Sequence, residues 1–112
     1  MNDSINLKQI EELKDILGDE FQGLIDAFLT DSRQRLTRAR EAMGRDDYEL
    51  ARREFHSLKG SCGNVGAEPL AQLFQQLEGL LKKADYRSAQ QKMPELEREY
   101  QRVRQALRLS MV

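Results

Sequence analysis

The sequence predicts an all-α fold: an antiparallel up-down-up-down four-helix bundle with a short additional N-terminal helix, residues 1–112 forming a single domain. Three observations carry this expectation. Helix breakers are scarce, with 7 Gly and 2 Pro against abundant Leu, Arg, Glu, Gln and Ala. Apolar residues recur every three or four positions in five stretches separated by short connections. The length suits one core, which organises about 100–150 residues.

Each stretch has its own seam. Leu7, Ile10, Leu13 and Leu17 form the first, with Asn6 and Gln9 resembling a capping box and Gly18 a stop. Phe21, Leu24, Ile25, Phe28, Leu29, Leu36, Ala39 and Met43 form the second, ending at Gly44, while Arg33, Arg35, Arg38 and Arg40 occupy its other face. The spacing of Asp46 and Glu49 predicts the cap of a third helix, whose seam is Tyr48, Ala51, Phe55, Leu58 and Cys62. Pro69 fits the first turn of a fourth, with Leu70, Leu73, Leu77, Leu80, Leu81 and Ala84 facing the core. Asp85 caps the next segment. Because interior proline breaks or bends a helix, Pro94 predicts that residues 86–93 form a separate turn or a kinked lead-in. Leu96, Tyr100, Val103 and Leu107 make the last seam.

Composition excludes several functions. One histidine is too few for a zinc-metalloprotease helix, and no glycine-flanked serine elbow accompanies it. One cysteine, Cys62, forbids an intramolecular disulfide or a CxxC site and suits a reducing compartment; at its position it reads as a small buried hydrophobe. The polar start shows no signal peptide and no apolar run reaches membrane-spanning length, so the expected location is cytoplasmic, without membrane contact. A net charge of −1 argues against nucleic-acid binding. That neutrality is uneven: residues 1–32 hold eight acids and two bases, whereas 33–59 hold eight bases and five acids. Such a division suits a charged docking face for a protein partner, or helices simply covered in solvated charge.

His56 is the informative residue. On a helix it lies about 100° from Phe55, beside the buried seam and turned outward. Arg52, Lys59, Gly60 and Gly63 share its face. Gly60 inside a helix costs about 1 kcal/mol relative to alanine, and it clears space beside the ring. Neutral imidazole is a competent nucleophile near neutral pH. Lys59 and Arg52 should disfavour a protonated ring and attract an anion such as a phosphoryl group. No phosphate-binding glycine loop is present, so a partner would have to bring the phosphoryl group. On spacing alone, an ordinary exposed histidine accounts for this face at least as well.

The run His56-Ser57-Leu58-Lys59-Gly60-Ser61-Cys62-Gly63-Asn64-Val65-Gly66-Ala67, followed by Leu70, Leu73, Leu77 and Glu78, resembles the histidine-containing phosphotransfer (HPt) domain family. The chain resembles its stand-alone bacterial members. The resemblance implies that His56 accepts a phosphoryl group from the aspartate of a receiver domain on a hybrid sensor kinase. It then passes the group to the aspartate of a response-regulator receiver. It also implies that Lys59 steadies the phosphoryl oxygens and that Gly60 keeps space for the receiver. Some members carry glutamine where this chain has Glu78, to orient the imidazole. The receiver supplies Mg²⁺, so the chain itself needs no cofactor and no metal. Arg52, Lys59 and Gly63 are the expected partner-binding residues, and a monomer fits a carrier with one exposed site. A non-catalytic helical adaptor binding through its charged faces is the alternative. An enzyme with His56 as general base lacks a partner nucleophile, and a haem or metal site on an outward-facing histidine is weaker still.

Overall fold

The computed structural model describes residues 3–111, with five α-helices, two 3-10 turns and no strand among the described residues. α1 spans Leu7–Leu17, α2 Phe21–Gly44, α3 Tyr48–Cys62, α4 Glu68–Lys82 and α5 Tyr86–Ser110. α3 packs between α2 and α4, and α5 lies against α4 and, less extensively, α2. The rod measures 43 × 25 × 18 Å. The 25 residues of α5 rise about 1.5 Å each and therefore run most of its length.

One apolar cluster joins all the helices. Ile10, Ile25, Leu36, Phe55, Leu58, Phe74, Leu77, Leu96, Tyr100 and Leu107 are fully enclosed. Phe55 of α3 and Phe74 of α4 meet with ring centroids 6.0 Å apart. The Tyr100 hydroxyl of α5 pairs with Ser32 Oγ of α2 at 2.9 Å, which removes the penalty of burying either alone. Leu7, assigned by periodicity to the first seam, is instead exposed. α1 has only one side covered, that of Ile10, and Leu7 lies off it.

Local chemistry explains where the helices begin. Asn6, Asp47 and Asp85 each accept a hydrogen bond from the backbone N–H three residues ahead, on Gln9, Leu50 and Ser88, satisfying donors that a first turn leaves unpaired. The cap of α3 is therefore Asp47 rather than Asp46. Asp46 takes a left-handed conformation at φ 60° and accepts the Tyr48 hydroxyl at 2.8 Å. Ala84 repeats this geometry at φ 59°, which removes it from the core face the sequence suggested. In both turns the following aspartate donates its N–H to a carbonyl five residues back: Asp47 to Ala42 and Asp85 to Leu80. This is the 6→1 closure of a helix C-terminus. The two turns bring Tyr48 and Tyr86 together as stacked rings 3.8 Å apart.

Pro94 does not divide the last helix; α5 continues through it. The proline sits on the exposed side. There solvent can replace the missing donor, and the convex outer curve of a helix accommodates the ring. The arginine stripe of α2 also differs from a free docking face. The buried Glu54 carboxylate of α3 accepts from Arg35 at 3.0 Å and Arg38 at 2.9 Å. Arg40 grips Glu97 of α5 through two bonds of 2.7 and 2.8 Å. Three of the four arginines of that stripe thus hold helices together.

The capping box at α1 is only half made. Gln9 does not reach back to Asn6. Its amide instead donates to the Gly63 carbonyl at 2.8 Å, while Asn6 N–H donates to Gly66 O at 2.9 Å. Gly66 is left-handed at φ 68°, and a Cβ there would meet Asn6 Cβ and Gln9 Oε1 at 3.1 Å. Both its backbone and its neighbours require glycine. Relief of the Ala84 backbone gives a simple test: Ala84→Gly should raise the unfolding free energy by about 1 kcal/mol in urea denaturation, because an L-residue in this region is strained by about that much.

Candidate functional site

The site is built across the α3–α4 contact. Ala51, Phe55, Leu58 and Cys62 turn α3 toward the core, and His56, one step past Phe55, emerges with 63% of its side chain exposed. Opposite it, α4 carries Glu78, whose side chain is 5% exposed. Its carboxylate is saturated with donors. Glu78 Oε2 lies 2.8 Å from His56 Nδ1 and 3.4 Å from Lys82 Nζ, and Oε1 accepts from Lys59 Nζ at 3.1 Å.

Burial alone would push the Glu78 carboxyl up. The hydrogen bonds from Lys59 and His56, with their positive charge, outweigh it and hold the group below the usual carboxylate range. An ionised carboxylate only accepts, so the Nδ1 position of a neutral His56 ring carries the hydrogen. The lone pair then resides on Nε2, on an exposed ring. This tautomer is that of an outward-facing nucleophile.

The surroundings leave room for a reacting group. A Cβ built at Gly60 meets nothing within 4 Å, and the same holds at Gly63. Lys59 is tied to Glu78 rather than extended into solvent. Arg52 is engaged by Glu49 through bonds of 2.6 and 3.1 Å. The charges beside the ring therefore differ from the Lys59–Arg52 pair that the sequence suggests: a carboxylate on Nδ1, two lysines on that carboxylate, and an arginine already neutralised. Lys82 escaped sequence reasoning, although its place one turn after Glu78 is an ordinary i, i+4 signal. The Gln9–Gly63 bond that steadies the end of α3 spans 54 residues and carried no local signal.

Cys62 is enclosed, and burial pushes its thiol up to about 12, which makes it an inert packing residue. Among the described residues, no group of three or more His, Cys, Asp or Glu could hold a metal ion. None of the described helices is long and apolar enough to cross a membrane.

The model of the Hpt domain family matches residues 23–106, a span that contains His56, Lys59, Gly60 and Glu78. The chain belongs to the Hpt domain family. It is accordingly a histidine phosphotransfer protein of phosphorelay signalling. The fold agrees. The crystal structure of histidine-containing phosphotransfer protein B (HptB) from Pseudomonas aeruginosa PAO1 superposes with a TM-score of 0.90 at 28% identity, covering 97% of this chain and 95% of that one. No curated protein sequence matches the chain. This Hpt domain thus shares its all-helical architecture with HptB along almost its whole length.

The site geometry sets two measurable outcomes. Gly60→Ala should stabilise the Hpt domain by about 0.5–1 kcal/mol, measured by thermal or urea unfolding, since the new methyl meets open space and removes helix-interior glycine. The Glu78 carboxyl is depressed in the folded state, so its stabilisation is fully present above its ordinary value of 4.5 and is lost as pH falls through the lower folded value. The stability advantage of Glu78 in the natural protein over Glu78→Gln, measured by urea unfolding, should therefore be lost as pH falls below 4.5.

Proposed function

We propose that His56 is the phosphoryl acceptor and donor of this Hpt domain. It takes the group from the aspartate of a receiver domain of a hybrid sensor kinase and delivers it to the aspartate of a response-regulator receiver. One contact supports this reading above all: Nδ1 of His56 lies 2.8 Å from a buried carboxylate on an otherwise exposed ring. With Nδ1 engaged, Nε2 attacks the phosphorus of the receiver's acyl phosphate, and the aspartate leaves as a carboxylate. Attack by a second aspartate reverses the step.

The remaining residues take supporting roles. Glu78 orients the imidazole. Lys59, 3.1 Å from Glu78 and next to the ring on α3, steadies the phosphoryl oxygens once they arrive. Gly60 and Gly63 leave the face open for the receiver, and the Arg52–Glu49 pair lies one turn away on the rim. The receiver brings the Mg²⁺, and this chain acts as a carrier with no kinase activity of its own. Contacts with either receiver are weak and transient, because one must leave before the other docks. Short connections between neighbouring helices fit an up-down-up-down bundle with α1 as an added element, working as a cytoplasmic monomer.

Label transfer tests the reading. Incubation with a phosphorylated receiver should place on this chain a label that is acid-labile and alkali-stable, as a phosphoramidate is. His56→Gln should abolish it by at least about 100-fold with unchanged helicity and melting. Label persisting in that variant would reassign the acceptor, and failure with every receiver tried would favour a helical adaptor.

A further inference from the structure

Resting on the phosphoryl-carrier reading of His56, we infer that Tyr48 and Tyr86 are positioning residues for phosphoryl uptake. Their stacked rings fasten the far ends of α3 and α4, and so keep Glu78 within reach of the imidazole.

α3 and α4 are joined covalently at one end only, through residues 63–67. At the other end α3 begins at Tyr48 and α4 stops at Lys82, and the chain runs from each into a different helix. Tyr48 on Tyr86 bridges that open end, with centroids 3.8 Å apart and planes 7° from parallel. Glu78 thus stands between two aromatic contacts. Phe74, one turn before it, meets Phe55 of α3, and Tyr86 lies just past the last turn of α4. The contact they hold has little slack. Glu78 Oε2 is 2.8 Å from His56 Nδ1, and such a bond reaches to about 3.2 Å. One residue of helix rises about 1.5 Å, so a slip of α4 along α3 by less than one residue parts the two groups.

The backbone around the tyrosines is held in costly geometry. Among the described residues, only Asp46 and Ala84 carry a side chain at positive φ, 60° and 59°. Each stands two residues before one of the tyrosines. Residues in this region persist where their surroundings over-determine them, and they gather where function depends on geometry. Here both turns are closed by an aspartate N–H, Asp47 to Ala42 O and Asp85 to Leu80 O. The Tyr48 hydroxyl donates to Asp46, and Gln90, one turn after Tyr86, donates to Met43 O at 3.0 Å. Burial alone does not recruit Tyr86, which keeps 38% of its surface exposed. The strained turns instead deliver its ring to Tyr48, at the end of the helix pair that carries the imidazole and its carboxylate.

The test uses the full chain with potassium phosphoramidate as the phosphoryl donor, so that no receiver enters. It compares Tyr48→Leu, Tyr86→Leu and Tyr86→Phe for the rate of phosphohistidine formation per folded molecule. In parallel, ¹⁵N NMR of the uncharged ring at about pH 8, where imidazole is neutral, reports which nitrogen carries the hydrogen. Each leucine variant should be charged about 3- to 10-fold more slowly, the range an aromatic pair of this kind supplies, and should mix the two ring tautomers. The double leucine variant should be no slower than either single one, because the same contact is lost in all three. Tyr86→Phe keeps the stack and should restore both the rate and the ring signals. Natural rates and ring signals in folded leucine variants would assign the pair to stability alone and overturn the inference. A phenylalanine variant as slow as leucine, or failure of both leucine variants to fold, would do the same. If the natural protein forms no phosphohistidine, the carrier reading fails, while the ring signals still decide whether the stack sets the tautomer.

Discussion

The Glu78 carboxylate is the constraint around which this molecule is organised. A buried ionised group is tolerated only when its acceptors are filled, and here one imidazole and two ammonium groups fill them. Those donors come from both α3 and α4, so the carboxylate is at once a bond between helices and the setting of the ring. The packing of Phe55 on Phe74 and the enclosure of Leu77 and Leu58 place the two helices close enough for that contact. Without that core, the carboxylate would be an uncompensated buried charge; without the carboxylate, the ring would have no fixed tautomer.

A second buried carboxylate shows what is particular about the first. Glu54 also receives two cationic donors across a helix pair, from Arg35 and Arg38. Arginine is always charged and its fork is filled by carboxylates, so that cluster is static. At Glu78 the donors are an imidazole and flexible lysines, groups that can be released, rotated or chemically changed. The same solution to the burial of charge is structural on the α2 side of α3 and chemically active on the α4 side.

The residues that face one helix's own core were legible in the sequence. Phe55, Leu58, Leu70, Leu77, Leu96 and Leu107 lie where their periodicity predicts, and the outward position of His56 follows from its step past Phe55. Recognition of the run from His56 to Ala67 agrees with the family match over residues 23–106. The contacts that escaped depend on a partner in another segment. Local spacing could not foresee that Gln9 would abandon its own cap for Gly63, or that the α2 arginines would be occupied by Glu54 and Glu97. Asp46 and Ala84 depart from their sequence expectation for another reason. The left-handed residue ending a helix is usually glycine, and its substitution by aspartate and alanine hid the turn.

The Gln9 and Asn6 contacts also bear on how this protein can be cut and reused. The span that matches the family begins at residue 23, after the whole of α1. A modular excision at that boundary, for grafting the carrier onto another signalling chain, would keep every residue around the imidazole. It would nonetheless leave the Gly63 and Gly66 carbonyls without the donors they now receive from Gln9 and Asn6. The left-handed Gly66 would have lost the segment packed against it. The region just beyond Cys62 would fray first, loosening α3 from the end nearest His56. The useful transplantable unit is therefore longer than its sequence signature, and begins no later than Asn6.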